Sequence, residues 1–296
     1  MAVALFDDDF LRRLQRLGLL AKRIQAAAPT PGQRRGPRMG DGLEFADHRA
    51  YAPGDDLRFL DWHYYARMER LLLRLFHEHA EGAVTILLDA SASMALGEVC
   101  KFDYARRMAA ALAYVAMASL DRVSIRPFAG GLGEGLHTGR NRAQVLEVLD
   151  FLEHLTAGGP TDVRSAAEQF ARGRGRAGTV VLVSDMIDAA ADLPEALALL
   201  RRREGDLIAL HVVDAADAAP AAGGAARLAA VESGRRLSVH AGEELLAAYR
   251  RAWADFARDV ERACLSRAAL YVPAPTSAPF DRLVLETLRR AGLLAT

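Results

Sequence analysis

The sequence predicts a mixed α/β fold, in which a doubly wound, mostly parallel sheet with helices on both faces follows a small irregular N-terminal lobe. Apolar runs of strand length alternate with helical patterns from about residue 84 onward, as in strand–helix–strand crossovers. The run from Val84 to Leu88 is of the kind expected in a sheet covered on both faces. Because 51% of the 296 residues are hydrophobic, the chain can bury a substantial core without disulfides.

The predicted elements follow from the hydrophobic periodicity. Strands are predicted near residues 84–88, 122–128, 179–184, 207–213 and 269–272. Helices are predicted near residues 101–119, 141–155, 162–172, 194–203, 243–265 and 280–291. Because helical patterns separate the strands, we expect most strands to run parallel. The Ala- and Gly-rich stretch at 215–226 predicts a flexible excursion, followed by a hairpin that turns at Ser233 and Gly234.

The chain before the sheet has two further parts. Residues 11–38 carry eight Lys and Arg residues and no acid, and they begin as a helix with Leu11, Leu14 and Leu17 on a partly apolar face. Two interpretations stay open, a basic arm that docks onto a partner and a mobile helix with a linker. Residues 39–70 have poor periodicity, so we expect Asp–Arg pairs to order them, and residues 71–79 alternate enough to predict a strand. The predicted organisation is a basic helix and linker (1–39), an irregular lobe (40–80) and the α/β domain (81–296).

Charge and hydropathy exclude several classes of protein. Lys+Arg and Asp+Glu both number 38, so no overall field favours nucleic acid as a partner. The longest apolar run, from Met108 to Leu120, is shorter than the ~20 residues that a membrane helix needs. Acidic residues 7–9 stand where a secretory signal would be apolar, and Cys100 and Cys264 fit free thiols. These features predict a cytoplasmic protein without a membrane span.

The first predicted strand ends in a turn that is rich in oxygen ligands. Asp89, Ser91 and Ser93 alternate there, at the strand end where open α/β sheets gather ligands. Two later segments should reach the same edge, because Thr161 follows a Gly-rich loop that opens a helix and Asp185 follows the strand at 179–184. Hard cations such as Mg²⁺ take about six oxygen ligands. These five residues therefore predict a divalent-cation site, for Mg²⁺ first, with Mn²⁺ or Ca²⁺ as alternatives.

A second pattern lies upstream, in Gly42-Leu43-Glu44-Phe45, Arg49, Tyr51-x-Pro53-Gly54-Asp55-Asp56, Arg58, Asp61-Trp62 and Ala66-Arg67. The site pattern resembles the metal-ion-dependent adhesion site of von Willebrand factor A domains. Together the two patterns resemble the Domain of Unknown Function 58 family, bacterial proteins often encoded beside MoxR-type AAA+ ATPases. The resemblance covers roughly residues 40–290.

The resemblance implies a fold of von Willebrand factor A (Rossmann-like) type. It also implies direct metal ligation by Ser91, Ser93 and Thr161. Asp89 and Asp185 would contact the metal through bound water, or would contact the direct ligands instead of the metal. The implied function is a metal-dependent protein-interaction module, an adaptor or co-chaperone, and not an enzyme. An acidic residue of another protein would complete the metal's shell, and a MoxR-type ATPase is the expected partner.

Two alternatives stay open on the residues alone. The acid and hydroxyls of a single Asp-x-Ser-x-Ser turn can cap the next helix instead of binding a metal. An apolar strand that ends in Asp also begins the haloacid-dehalogenase motif, which gives a metal-dependent phosphohydrolase-like enzyme as the alternative function. That chemistry needs a second Asp two positions later as acid and base, where this chain has Ser91, so the enzyme interpretation is disfavoured.

Overall fold

The structure, a computed structural model, describes residues 5–27, 37–38, 44–77, 82–139, 141–173, 178–187, 189–203, 205–219, 224–229, 231 and 236–291. The helices are α1 (Asp8–Ala27), α2 (Trp62–Met68), α3 (Lys101–Ala118), α4 (Val145–His154), α5 (Val163–Ala171), α6 (Leu193–Arg201), α7 (Ala215–Ala218), α8 (Glu243–Ser266) and α9 (Phe280–Arg290). The strands are β1 (Pro37–Arg38), β2 (Glu44–Ala50), β3 (Leu72–His77), β4 (Ala83–Asp89), β5 (Arg122–Phe128), β6 (Leu136–His137), β7 (Thr179–Ser184), β8 (Asp206–Val213), β9 (Gly224–Ala229), β10 (Arg236–Ala241) and β11 (Leu270–Pro275).

The central sheet confirms the predicted fold class. Its six strands have the order β11-β8-β7-β4-β5-β6. The five strands other than β6 run parallel, and β6 pairs antiparallel with β5 at one edge. The predicted hairpin is present as the antiparallel pair β9–β10, although its turn at Ser233 and Gly234 lies outside the described residues.

Both faces of the sheet are buried, because side chains alternate between two apolar clusters. On β4, Ile86 and Leu88 belong to the cluster that includes residues of α1, α3, α4 and α9. Leu87 points the other way, into the cluster with residues of α5, α6 and α8. This double burial explains why β4 and β7 are apolar at nearly every position.

The chain divides into two compact units, residues 1–27 with 83–296 and residues 28–82. This division differs from the predicted one, since α1 belongs to the larger unit. Leu14 and Leu17 of α1 are buried in the cluster shared with α3 and α9, and packing of this apolar stripe holds the helix. The helix therefore differs from the mobile segment that its basic composition suggested.

The smaller unit contains a three-stranded antiparallel sheet in the order β1-β3-β2. The strand β2 was not predicted, because its sequence lacks the apolar–polar alternation of a strand. Its pairing with β3 shifts register between Phe45 and Asp47. Ion pairs join Arg49 to Asp55 at 2.8 Å and Arg58 to Asp56 at 2.7 Å, which are pairings of the predicted kind.

Replacement of Arg13 by alanine tests the attachment of α1. The Arg13 guanidinium lies 2.6 Å from an Asp281 carboxylate oxygen and 4.6 Å from the centre of the Phe280 ring, both on α9. Because the ion pair is about one-third exposed, we expect Arg13→Ala to lower the free energy of unfolding by only about 1 kcal/mol. Arg12→Ala is the matched control, since its exposed pair with Asp9 lies within α1. Equal urea midpoints for the two variants would contradict the account.

Candidate metal site

The apolar strand β4 delivers Asp89 to the carboxyl edge of the sheet. The Asp89 side chain is fully buried. Its Oδ1 accepts from the Ser91 backbone N–H at 2.9 Å, and its Oδ2 accepts from the Ser184 hydroxyl at 2.6 Å. Burial raises the pKa of Asp89 to about 6, against the lowering effect of these hydrogen bonds. Asp89 is thus a carboxylate held by neutral donors.

The two serines of the turn lie side by side below the surface. Their Oγ atoms are 3.2 Å apart, and both residues are buried. Ser91 occupies the cap position of the short 3₁₀ helix Ala92–Ala95, yet its side chain makes no capping hydrogen bond. The alternative in which this hydroxyl serves only to cap the next helix is therefore not supported.

The loop that carries Thr161 is hydrogen-bonded to the serine turn. The Gly158 N–H donates to the Ala90 carbonyl at 2.8 Å, and the Ala92 N–H donates to the Gly159 carbonyl at 2.9 Å. Gly159 has a φ of +81°, a conformation that favours glycine. These bonds bring the half-buried Thr161 to the edge occupied by Asp89, Ser91 and Ser93.

The acid next to Thr161 has a different role. The Asp162 side chain accepts from the Ser165 N–H at 2.8 Å and caps α5. Asp162 is therefore a helix cap and not one of the metal-site residues.

The fifth predicted residue, Asp185, follows β7, the direct neighbour of β4 in the sheet. It is buried, and its negative charge raises the pKa of Asp89. Its Oδ2 accepts from the Lys101 ammonium at 2.7 Å, and its Oδ1 accepts from the Ile187 N–H at 3.2 Å. The structure thus brings the segments of all five predicted residues to one edge of the sheet.

Sequence reasoning missed Lys101, a fully buried cation at the start of α3. Besides Asp185, its Nζ contacts Asp217 of α7 at 3.2 Å. Burial acts to lower the pKa of Lys101, but the two carboxylates more than offset it and hold the pKa above its ordinary value. The ammonium is therefore charged. A lysine in the first turn of a helix carries no sequence signal for burial, and only the packing shows its role.

His211 was also missed. It pairs with Ser184 in the register of β8 against β7, so it lies beside the site. Its Nδ1 lies 2.9 Å from the Tyr271 hydroxyl, while among the described residues its buried Nε2 has no hydrogen-bond partner. Burial lowers the pKa of His211 from 6.5 to about 4, partly offset by the charge of Asp185. The ring is therefore neutral near pH 7.

The depressed pKa of His211 predicts a loss of stability in acid. As the pH falls from about 6.5 to about 4, the unfolded chain takes up a proton at His211 that the folded chain does not. The contribution of His211 to the free energy of unfolding should fall by about 3 kcal/mol across this window. His211→Phe should remove this dependence, and urea unfolding of both proteins at several pH values measures the difference.

Comparison with the His211→Phe variant cancels the contribution of Asp89. The raised pKa of Asp89 acts in the opposite direction over a similar pH range and is present in both proteins. Parallel stability–pH curves for the two proteins would show that His211 does not titrate as its burial requires.

The donor set fits a hard divalent cation. Within the part of the chain that the structure describes, no group of three or more His, Cys, Asp or Glu side chains is placed to hold a metal. The predicted site does not depend on such a group, since hydroxyls supply three of its five side chains. Oxygen donors with two carboxylates match the preference of Mg²⁺, Mn²⁺ or Ca²⁺ and not that of zinc.

The chain belongs to the family described as "Protein of unknown function DUF58", which matches residues 47–262. A curated relative is the uncharacterized protein Rv1480 of Mycobacterium tuberculosis, 28% identical over 183 residues, 60% of this chain and 57% of the relative. This chain thus spans little more than half the length of the curated relatives that it matches.

Solved structures show a similar fold at low sequence identity. One is a von Willebrand factor type A protein from Catenulispora acidiphila, with 13% identity and a TM-score of 0.43, covering 75% of this chain and 44% of that chain. Another is an aerotolerance-related membrane protein from Bacteroides fragilis, with 16% identity and a TM-score of 0.43, covering 72% of this chain and 100% of that chain.

The predicted cytoplasmic location is contradicted by these similarities, because the Bacteroides fragilis protein is described as a membrane protein. The predicted location rested on the hydropathy of this chain's own segments alone. Of the helices in the described part of the chain, none combines the length and hydrophobicity required to cross a bilayer.

Proposed function

We propose that this protein is a metal-dependent protein-interaction module, with one divalent cation bound at the carboxyl edge of its sheet. The observation that carries the proposal is the pair of buried hydroxyls of Ser91 and Ser93, 3.2 Å apart, on a turn hydrogen-bonded to the Thr161 loop. Because the Ser91 hydroxyl does not cap the helix that follows, its oxygen is available as a metal ligand.

In this proposal Ser91, Ser93 and Thr161 supply oxygen ligands directly. Asp89 and Asp185 provide negative charge from behind the hydroxyls, since both carboxylates already accept hydrogen bonds from protein donors. A bound cation supplies a Lewis-acidic position that attracts a carboxylate. We propose that an Asp or Glu of the partner fills that position, and that the partner is a MoxR-type AAA+ ATPase, as the family resemblance implies.

The contacts of the site favour binding over catalysis. A serine nucleophile needs an adjacent general base, most often a histidine, whereas among the described residues the Ser91 hydroxyl contacts the Ser93 hydroxyl and the Asp89 carboxylate. The phosphohydrolase alternative needs an acid two residues after Asp89, where Ser91 stands. No contact among the described residues favours this alternative.

A binding experiment with the purified chain and a MoxR-type ATPase from the same organism tests the proposal. We expect Mg²⁺-dependent binding that is lost on addition of a chelator and lost in Asp89→Ala. Ser119→Ala, which removes a hydroxyl that follows α3 and donates to the Val115 carbonyl, is the control and should bind normally. Binding that ignores the chelator, or turnover of phosphoesters by the chain alone, would overturn the proposal.

A further inference from the structure

Lys101 places a permanent positive charge beside the proposed metal site. The side chain is fully buried, and its Nζ lies 2.7 Å from Asp185 and 3.2 Å from Asp217. Burial of a charge is costly, and replacement of a buried ion pair by apolar residues is often neutral or stabilising. Stability alone therefore does not account for a cation at this position.

The two carboxylates of the site differ in how their charge is balanced. Asp185 accepts from the Lys101 ammonium and from a backbone N–H, so its negative charge is largely offset. Asp89 accepts from a hydroxyl and a backbone N–H, which are neutral donors. Asp89 therefore carries most of the uncompensated charge that a cation would meet.

The other carboxylate at Lys101 has a weaker influence on the site. Asp217 lies on α7 with its side chain 18% exposed, whereas the Asp185 side chain is only 2% exposed. Solvent screens a partly exposed charge more than a buried one. Asp89, Asp185 and Lys101 together then leave one net negative charge, and a divalent cation would leave one net positive charge.

We propose that Lys101 determines the specificity of the site. Its positive charge lowers the affinity of the site for a divalent cation in the absence of a second ligand, and it makes the metal-bound site select an anionic ligand. This inference rests on the proposed function and deepens it, because it assigns the choice of a carboxylate ligand to one residue. Metal and carboxylate should bind with positive coupling, and the coupling should be reciprocal.

Titration of Mn²⁺ followed by electron paramagnetic resonance tests the inference, in sodium acetate and in sodium chloride at equal ionic strength. For the natural chain, we expect acetate to tighten Mn²⁺ binding by about tenfold. For Lys101→Met, we expect Mn²⁺ alone to bind about tenfold more tightly and the acetate effect to disappear. A Mn²⁺ titration without protein corrects for the weak binding of acetate to the ion.

Two further variants separate the charge of Lys101 from its structural role. Lys101→Arg keeps the positive charge and should keep the acetate effect. Asp217→Asn removes a neighbouring negative charge while Lys101 remains, and should also keep the effect. If Lys101→Met does not fold, the double variant Lys101→Gln/Asp217→Asn leaves fewer buried charges unpaired and is expected to lose the effect.

The outcomes distinguish failure of this inference from failure of the proposed function. Equal Mn²⁺ affinity in acetate and chloride, or an acetate effect that survives removal of the Lys101 charge, overturns the role of Lys101 and leaves the metal site standing. Absence of Mn²⁺ binding to the natural chain under both conditions overturns the metal site itself, and the inference with it.

Discussion

Replacement of Lys101 by methionine should lower the free energy of unfolding by about 3–5 kcal/mol, because it leaves the buried Asp185 carboxylate without its cation. Methionine fills much of the volume of the lysine side chain, so the expected loss is electrostatic more than steric. Asp185 would keep one backbone donor and Asp217 would lose its ion pair. Urea unfolding at neutral pH and low metal concentration measures the effect.

The double variant Lys101→Met/Asp185→Asn is the control for this prediction. Removal of both charges should restore a large part of the lost stability, since a neutral amide has a smaller desolvation penalty than a carboxylate. A single variant Lys101→Met as stable as the natural chain would mean that the buried ion pair does not form. Additive losses in the double variant would mean that the two residues do not interact.

Replacement of both turn serines by alanine should weaken Mg²⁺ binding by about a hundredfold or more, because it removes two of the three proposed direct ligands. The fold should change little, since the two hydroxyls contact each other, and Asp89, which also loses the Ser91 hydroxyl, keeps the Ser184 hydroxyl and the Ser91 backbone N–H as donors. Titration calorimetry with Mg²⁺ measures the affinity, and urea unfolding without metal measures the stability.

Ser165→Ala is the matched control for the double serine variant. Ser165 lies in the first turn of α5, close in sequence to Thr161, and its hydroxyl accepts from Gln169 at 3.0 Å. Mg²⁺ affinity should be unchanged in this variant. Mg²⁺ binding by the Ser91→Ala/Ser93→Ala protein at the affinity of the natural chain would show that the ion binds elsewhere.

The sheet and the edge that carries the site could be predicted from the sequence, for a physical reason. A strand buried on both faces must be apolar along its length, so β4 and β7 are recognisable as apolar runs. The first run ends at Asp89, and the second ends directly before Asp185. Parallel strands bring their carboxyl ends to one edge, which fixes the neighbourhood of the site before any contact is known.

Features that depend on distant pairing could not be predicted. Arg13 pairs with Asp281, which lies 268 positions later in the chain. Lys101, at the start of α3, pairs with Asp185 and Asp217. A basic segment or an isolated lysine has the same sequence signature whether it is solvated or buried in an ion pair. The short edge strand β6 has only two residues and carries no periodicity.

Crystals grown with Mn²⁺ would test the central claim most directly, by anomalous diffraction. We predict one strong anomalous peak at the carboxyl edge of the sheet, with the hydroxyl oxygens of Ser91, Ser93 and Thr161 at roughly 2.0–2.6 Å. A well-ordered edge without such a peak, at Mn²⁺ concentrations that saturate any binding seen in solution, would contradict the claim. An anomalous peak elsewhere on the chain, with none at this edge, would contradict the claim equally.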